Sequence, residues 1–179
     1  KSGIFNDIVL LKDGYICVGK DGALYGLICK FDKEGNLVYN VSSYGNFQTD
    51  ATGFSRAKVF DNKLYISGSY NTNKDENKDN TFDGAIYVYD LKGNYIKRFR
   101  LRNITSTHFY DFVINKNYLL AVGCTTNEDE YKNPNRVLAK FDLKGNLITK
   151  NIIGTDNTEF FTSILESDKY IISGYSNNK

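Results

Sequence analysis

Apolar residues along this chain come in short runs separated by polar turns, and the order of the runs repeats. Each unit opens on an aromatic-led run, continues with a run ending in Gly, and adds a third ending in Phe-Asp or Tyr-Asp before Gly-Asn. The leading aromatics are Phe5, Phe54, Phe109 and Phe160, and the run-ending glycines are Gly19, Gly68, Gly123 and Gly174. A step of about 50 residues is the range of solenoids, propellers and arrays. The third runs close on Asp32, Asp90 and Asp142, followed by Gly35-Asn36, Gly93-Asn94 and Gly145-Asn146. The units are therefore 4–53, 54–108, 109–159 and an incomplete 160–179.

Run lengths and turn chemistry predict four short strands per unit. In the first they are Phe5–Leu11, Tyr15–Gly19, Tyr25–Asp32 and Asn36–Val41; in the second, Ser55–Phe60, Lys63–Ser69, Gly84–Asp90 and Asn94–Arg100. The third supplies Phe109–Asn115, Asn117–Cys124, Arg136–Asp142 and Asn146–Ile152, and the last only Phe160–Glu166 and Lys169–Gly174. Lys12-Asp13-Gly14, Asp61-Asn62, Lys116-Asn117 and Ser167-Asp168 read as tight hairpins between first and second strands. In Asp-x-x-Gly-Asn the carboxylate accepts from turn amides and Gly supplies a positive φ, so the recurring Asp is a turn residue before it is an acid. Nothing shows helical periodicity over ten residues, and Pro134 falls in a predicted loop. Near-continuous apolar runs such as 118–122 predict strands buried on both faces. Glycine at the end of the second strand is expected to leave room for the next unit.

The fold class is thus all-β, a propeller-like array of four-stranded antiparallel blades, about three and a half of them. The units Asp13-Gly-Tyr-Ile-Cys-Val-Gly19, Leu138-Ala-Lys-Phe-Asp-Leu-Lys-Gly-Asn-Leu-Ile148 and Lys169-Tyr-Ile-Ile-Ser-Gly174 resemble the repeats of bacterial propeller-type proteins. The resemblance covers essentially the whole chain. The Trp usual after Gly-Asn in such repeats is Tyr39 in the first unit and absent from the others. The resemblance implies an extracellular or cell-surface bacterial location and leaves activity open. An array of this length would leave apolar blade faces uncovered, so further blades from a parent chain or a second copy are expected to meet them.

Composition changes this picture little. The chain has 179 residues, a net charge of +2 and 15% aromatic residues, all Tyr and Phe, which favours strands. No basic run suggests a nucleic-acid surface, and no apolar run is long enough to insert in a membrane as a helix. Lys97-Arg98-Phe99-Arg100-Leu101-Arg102 alternates cations with apolar residues, as a strand with one solvated face would. Cys17 and Cys29 lie in apolar runs and Cys124 follows Gly123 at a strand end; they are expected to be buried thiols, with a Cys17–Cys29 bridge left open. A start directly on a repeat, without any Met, leads to the expectation of a piece of a longer protein.

Candidate chemistry is sparse. In the long loop of the second unit, Asp75, Asn77, Asp79 and Asp83 match positions 1, 3, 5 and 9 of a calcium loop, making Ca2+ the one cofactor to weigh. Against it, Asn80 stands where the loop needs Gly and Ile86 where it needs a bidentate Glu. A lone His108, just ahead of a strand, predicts a loop or capping role. Asp7, Arg56, Asp111 and Thr162, two places after each leading aromatic, are the positions that would converge in a central funnel. Tyr25, Tyr70, Tyr131 and Tyr175 are expected at exposed tips, where Tyr offers binding area at low entropic cost.

The expected function is a non-enzymatic binding or scaffold module presenting blade loops to a protein or glycan. The ligand-facing candidates are Asp7, Arg56, Asp111, Tyr70 and Tyr131. The alternatives are a propeller-type lyase or hydrolase with its site in the funnel, and an assembly module completed by a second copy.

Overall fold

The computed structural model describes residues 3–22, 25–43, 51–72, 82–102, 106–127, 130–155 and 157–177, with side chains of 127 and 130–133 outside the description. Blade 1 is β1 (Gly3–Leu11), β2 (Gly14–Asp21), β3 (Gly26–Asp32) and β4 (Leu37–Ser42). Blade 2 is β5 (Ala51–Phe60), β6 (Lys63–Asn71), β7 (Phe82–Asp90) and β8 (Tyr95–Leu101). Blade 3 is β9 (Thr107–Ile114), β10 (Leu119–Asn127), β11 (Glu130–Phe141) and β12 (Leu147–Ile153). A half-blade follows, β13 (Thr158–Glu166) and β14 (Tyr170–Asn177). Each full blade is an antiparallel meander in chain order, and the half-blade is a two-stranded sheet. The architecture is the expected all-β, propeller-like array.

Turn chemistry sets the hairpins at one end of every blade. Asp61 and Asn62 both adopt positive φ, 48° and 54°, as a two-residue hairpin turn requires. At the β3–β4, β7–β8 and β11–β12 turns, Gly35, Gly93 and Gly145 take φ of 87°, 89° and 104°. One carboxylate oxygen of Asp32, Asp90 or Asp142 accepts the amide of the Asn four residues on, at 2.8 Å in each. The other oxygen accepts that Asn's side-chain amide. These bonds hold all three carboxyls below the ordinary Asp range.

The run-ending glycines have a different cause from the expected one. Gly19, Gly68 and Gly123 pair with Phe5, Phe54 and Phe109, and next to each pair the first strand bulges. The bulge pushes the carbonyl preceding the aromatic onto the glycine. A Cβ at Gly19 would lie 1.9 Å from Ile4 O, at Gly123 1.9 Å from His108 O, and at Gly68 2.6 Å from Gly53 O. The glycine makes room for its own blade, not for the next one. In the half-blade the three-residue turn Ser167–Lys169 changes the register, so Gly174 faces Phe161 instead of Phe160. Phe161 is the structural counterpart of Phe54, Thr162 is the bulged residue, and Ser163 takes the place of Asp7 and Asp111.

Those aromatics join the blades. The Phe54 ring sits where a Cβ at Gly26 would be, 2.6 Å away, and Phe109 lies 2.9 Å from the same point at Gly84. At the third junction the paired position is Arg136, whose guanidinium lies 5.6 Å from the centre of the Phe161 ring. Phe54 and Phe109 are essentially fully buried, and truncating such a ring to Ala costs about 3–5 kcal/mol. Ile16, Val18, Leu64, Ile66 and Tyr87 fill the junction of blades 1 and 2; Tyr65, Val88, Phe112 and Leu119 fill that of blades 2 and 3. Because β6 and β7 face a neighbour on both sides, their interior residues are continuously buried.

Three local expectations change. Strand β11 begins at Glu130, so Pro134 lies in a strand; it falls in a register break between the Thr125–Asn135 and Asn127–Glu130 pairs, where the ladder does not use its missing N–H. Of the arginines of the 97–102 segment Arg102 is exposed as expected, but Arg98 and Arg100 lie over the Tyr70 ring at 3.7 and 4.3 Å and are not freely solvated. Cys17 and Cys29 are register partners, and with Cys124 they are buried free thiols.

Candidate functional site

Two carboxylates predicted to face a funnel instead tie blades together. Asp7 accepts the backbone amide of Ala57 at 2.8 Å, one blade on, and Arg56 lies 3.7 Å from its other oxygen. Asp111 repeats the arrangement on the half-blade, accepting Ile164 N–H and Ser163 Oγ–H, both at 3.0 Å, while Lys58 approaches at 3.7 Å. The side chain of Asp111 is only 6% exposed. At Asp7 and Asp111, position two after the aromatic therefore carries a blade-to-blade latch. It could not be told from a catalytic acid by residue type alone.

The other candidates scatter. Tyr70 was expected at an exposed tip, yet it is fully buried at the outer end of β6, because the arginines of β8 close over its ring. Tyr131 lies in β11, with its side chain outside the described ones. Asp75, Asn77 and Asp79 also lie outside the described residues. Asp83 is buried in a 2.7 Å ion pair with Arg100, itself only 7% exposed.

A cavity of about 280 Å³ opens between blades 2 and 3, lined by Thr52, Ser69, Phe82, Ser106, Thr107, His108 and Tyr110. It lies at the end opposite the tight hairpins, where β5, β7 and β9 begin and β6 ends. Repeat landmarks place its walls: His108 and Tyr110 flank the leading aromatic Phe109, and Ser69 follows the run-ending Gly68. Phe109 turns into the Gly84 socket, so by strand alternation its neighbours turn toward the opening.

His108 organises the hydroxyls. Its Nε2 is 2.8 Å from Ser55 Oγ and its Nδ1 3.0 Å from Ser69 Oγ, which in turn meets Thr52 Oγ1 at 2.5 Å. Burial pushes its imidazole down to about 4, so at neutral pH the ring is uncharged, donating through one nitrogen and accepting through the other. The Ser55–His108 contact has the reach of a nucleophile and its base, but the second nitrogen meets a serine hydroxyl where an acyl-transfer triad places a carboxylate. Aromatic rings lead away from the cavity. Tyr110 lies 4.7 Å from His108, Phe160 6.1 Å from Tyr110, and Tyr175 4.9 Å from Phe160. Tyr175, at the outer end of the row, is 53% exposed, in keeping with its expected place at a tip.

Sequence reasoning gives His108 a loop or capping role and passes over Ser55, Ser69 and Tyr110. The available signal was their position: each lies within one residue of a leading aromatic or a run-ending glycine.

Among the described residues, fold and site together define a propeller-like array with a hydroxyl-lined cavity between blades. No family model and no curated protein sequence matches the chain. Among solved structures it is similar to the phage phi92 endosialidase, with a TM-score of 0.61 and 12% identity over 92% of this chain. The match spans 29% of that chain. At that identity the likeness is one of fold.

Proposed function

We propose that this chain is a non-enzymatic recognition module that takes an uncharged, hydroxyl-rich ligand, a carbohydrate, at the cavity between blades 2 and 3. The lining carries the reading. Thr52, Ser69, Ser106 and Thr107 line it with hydroxyls, Ser69 bridging Thr52 and the neutral His108 imidazole and Thr107 donating to Thr125, so the wall is polar and uncharged at these positions. Phe82 and Tyr110 give apolar walls, and Phe160 and Tyr175 extend an aromatic shelf outward. Rigid blades hold the wall residues at fixed separations, which lowers the ordering cost of binding.

Among the described residues, the lining contains no carboxylate pair of the kind that glycoside hydrolysis uses. Among the described residues it also contains no cation to meet an acidic sugar, although the phi92 protein is an endosialidase. Neutral glycans are therefore the class this lining suits, with sialylated ones as the contrast.

The test is a glycan array carrying neutral and sialylated oligosaccharides, followed by calorimetry on the hits. Binding of neutral glycans, insensitive to salt between 50 and 500 mM, is expected, with about tenfold loss in Tyr175→Ala for one aromatic contact. Absence of any neutral-glycan binding, or binding confined to sialylated glycans, would refute the reading.

A further inference from the structure

Blade 1 sets two of the chain's three cysteines directly opposite each other. Cys17 of β2 and Cys29 of β3 are register partners at the middle of a ladder that runs unbroken from Gly14–Asp32 to Lys20–Gly26. The ladders on either side, β1–β2 and β3–β4, each carry a register shift. A slip of one residue would send one of the two side chains to the opposite face of the sheet, so the unbroken register keeps both sulfurs on one face. Directly opposed residues of an antiparallel pair have Cα atoms about 4.5–5.5 Å apart. A disulfide spans about 4.4–6.8 Å between the same atoms, so β2 and β3 need not separate to admit one. Cys124 is placed elsewhere: it lies in blade 3, opposite His108 and Arg136, with its Sγ 3.7 Å from the Tyr110 hydroxyl.

We propose that Cys17 and Cys29 form a dithiol–disulfide couple that staples the two central strands of blade 1, with Cys124 left as a thiol. Both residues belong to one blade, so the bond needs no contribution from any other. The step is exchange with a low-molecular-weight disulfide such as oxidised glutathione. One cysteine thiolate attacks that disulfide, and a glutathione thiolate leaves. The second cysteine then attacks the mixed disulfide and expels the other glutathione thiolate. The protein gives up two electrons and two protons, and the glutathione disulfide takes them up as two thiols. Cys17 and Cys29 are 8% and 7% exposed, and burial raises both thiols above the ordinary Cys value. Because the thiolate is the attacking species, exchange is fastest while the chain folds, before the sheet encloses the pair.

The experiment is refolding of the 179-residue chain from urea in a series of glutathione redox buffers, quenched by alkylation and mapped by trypsin and mass spectrometry. Lys12, Lys20 and Lys30 place the two cysteines in separate peptides, 13–20 and 21–30. The bond should join these two peptides, lighter than their sum by two hydrogen atoms, while Cys124 is recovered alkylated. Because paired strands hold the sulfurs together, the folded chain should bridge at a [GSH]²/[GSSG] value at least about tenfold higher than the chain held in urea. Cys124→Ser should bridge as the wild type does, and Cys17→Ser should end without any intramolecular link. Three alkylated thiols in folded protein under buffers that bridge the urea-held chain, persistent glutathione caps on Cys17 or Cys29, or a link to Cys124 would each overturn the proposal. Equal or greater bridging in urea would overturn it as well, since the fold would then contribute nothing to the pairing.

Discussion

Replacing Gly123 by Ala tests whether the bulge, and not the neighbouring blade, dictates the run-ending glycine. The new methyl would lie 1.9 Å from His108 O and 2.9 Å from Phe109 Cα. A contact with a backbone carbonyl cannot be relieved by rotating a side chain, so the β9 bulge must retreat by more than about 1 Å, and overpacking of this kind costs about 1–3 kcal/mol. The upper half of that range is expected, because Phe109 must stay seated at Gly84 and cannot follow. For a domain of this size, about 2–3 kcal/mol lowers Tm by about 4–12 °C. Gly68→Ala provides the graded comparison: there the obstacle is Gly53 O at 2.6 Å, so the loss should be smaller. Urea denaturation of the three proteins, with the m-value held as a check on two-state behaviour, gives the difference directly. If Gly123→Ala lost less than about 0.5 kcal/mol, or no more than Gly68→Ala, the bulge explanation of the repeat signature would be wrong.

Two further outcomes depend on pH. His108 is the chain's one histidine, so its proton NMR titration is free of overlap. Its folded-state pKa of about 4 lies below the unfolded value near 6.5, so the unfolded chain takes up the proton first and stability should fall as pH drops from about 6.5 to 4. A midpoint near 6.5 in the folded protein would contradict this. The turn carboxylates Asp32, Asp90 and Asp142 are likewise depressed, by hydrogen bonds from the Asn four residues on. Their contribution is complete above the unfolded Asp pKa of about 3.9 and is lost as pH falls through the folded values. The triple Asp→Asn variant should flatten the acid limb of a stability-against-pH curve, and an unchanged limb would show that other groups set it.

Much of the architecture could be read along the chain because it depends on local rules. Alternating side chains, turn residues with fixed φ preferences and a recurring step act over a few residues, so the four-stranded units and the Asp-x-x-Gly-Asn turns stand out in Phe5–Val41 as plainly as in Phe109–Ile152. Even there, boundaries moved where pairing continued past the apolar run, as in β11, and one register slipped at Phe160–Phe161 where the turn length changed.

The cavity lay beyond such reading. Ser55, Ser69 and His108 meet across a blade junction, with 39 to 53 residues between them, and no local pattern records which side chains face each other over that distance. Asp7 and Asp111 show the same division from the other side: their recurrence is written in the repeat, but only the stacking of blades made them latches. Tyr70, exposed by its loop-edge position, was buried by two arginines from another strand. Backbone geometry follows from neighbours along the chain. Site chemistry follows from neighbours in space, and those are chosen by how each blade's aromatic knob seats on the blade before it.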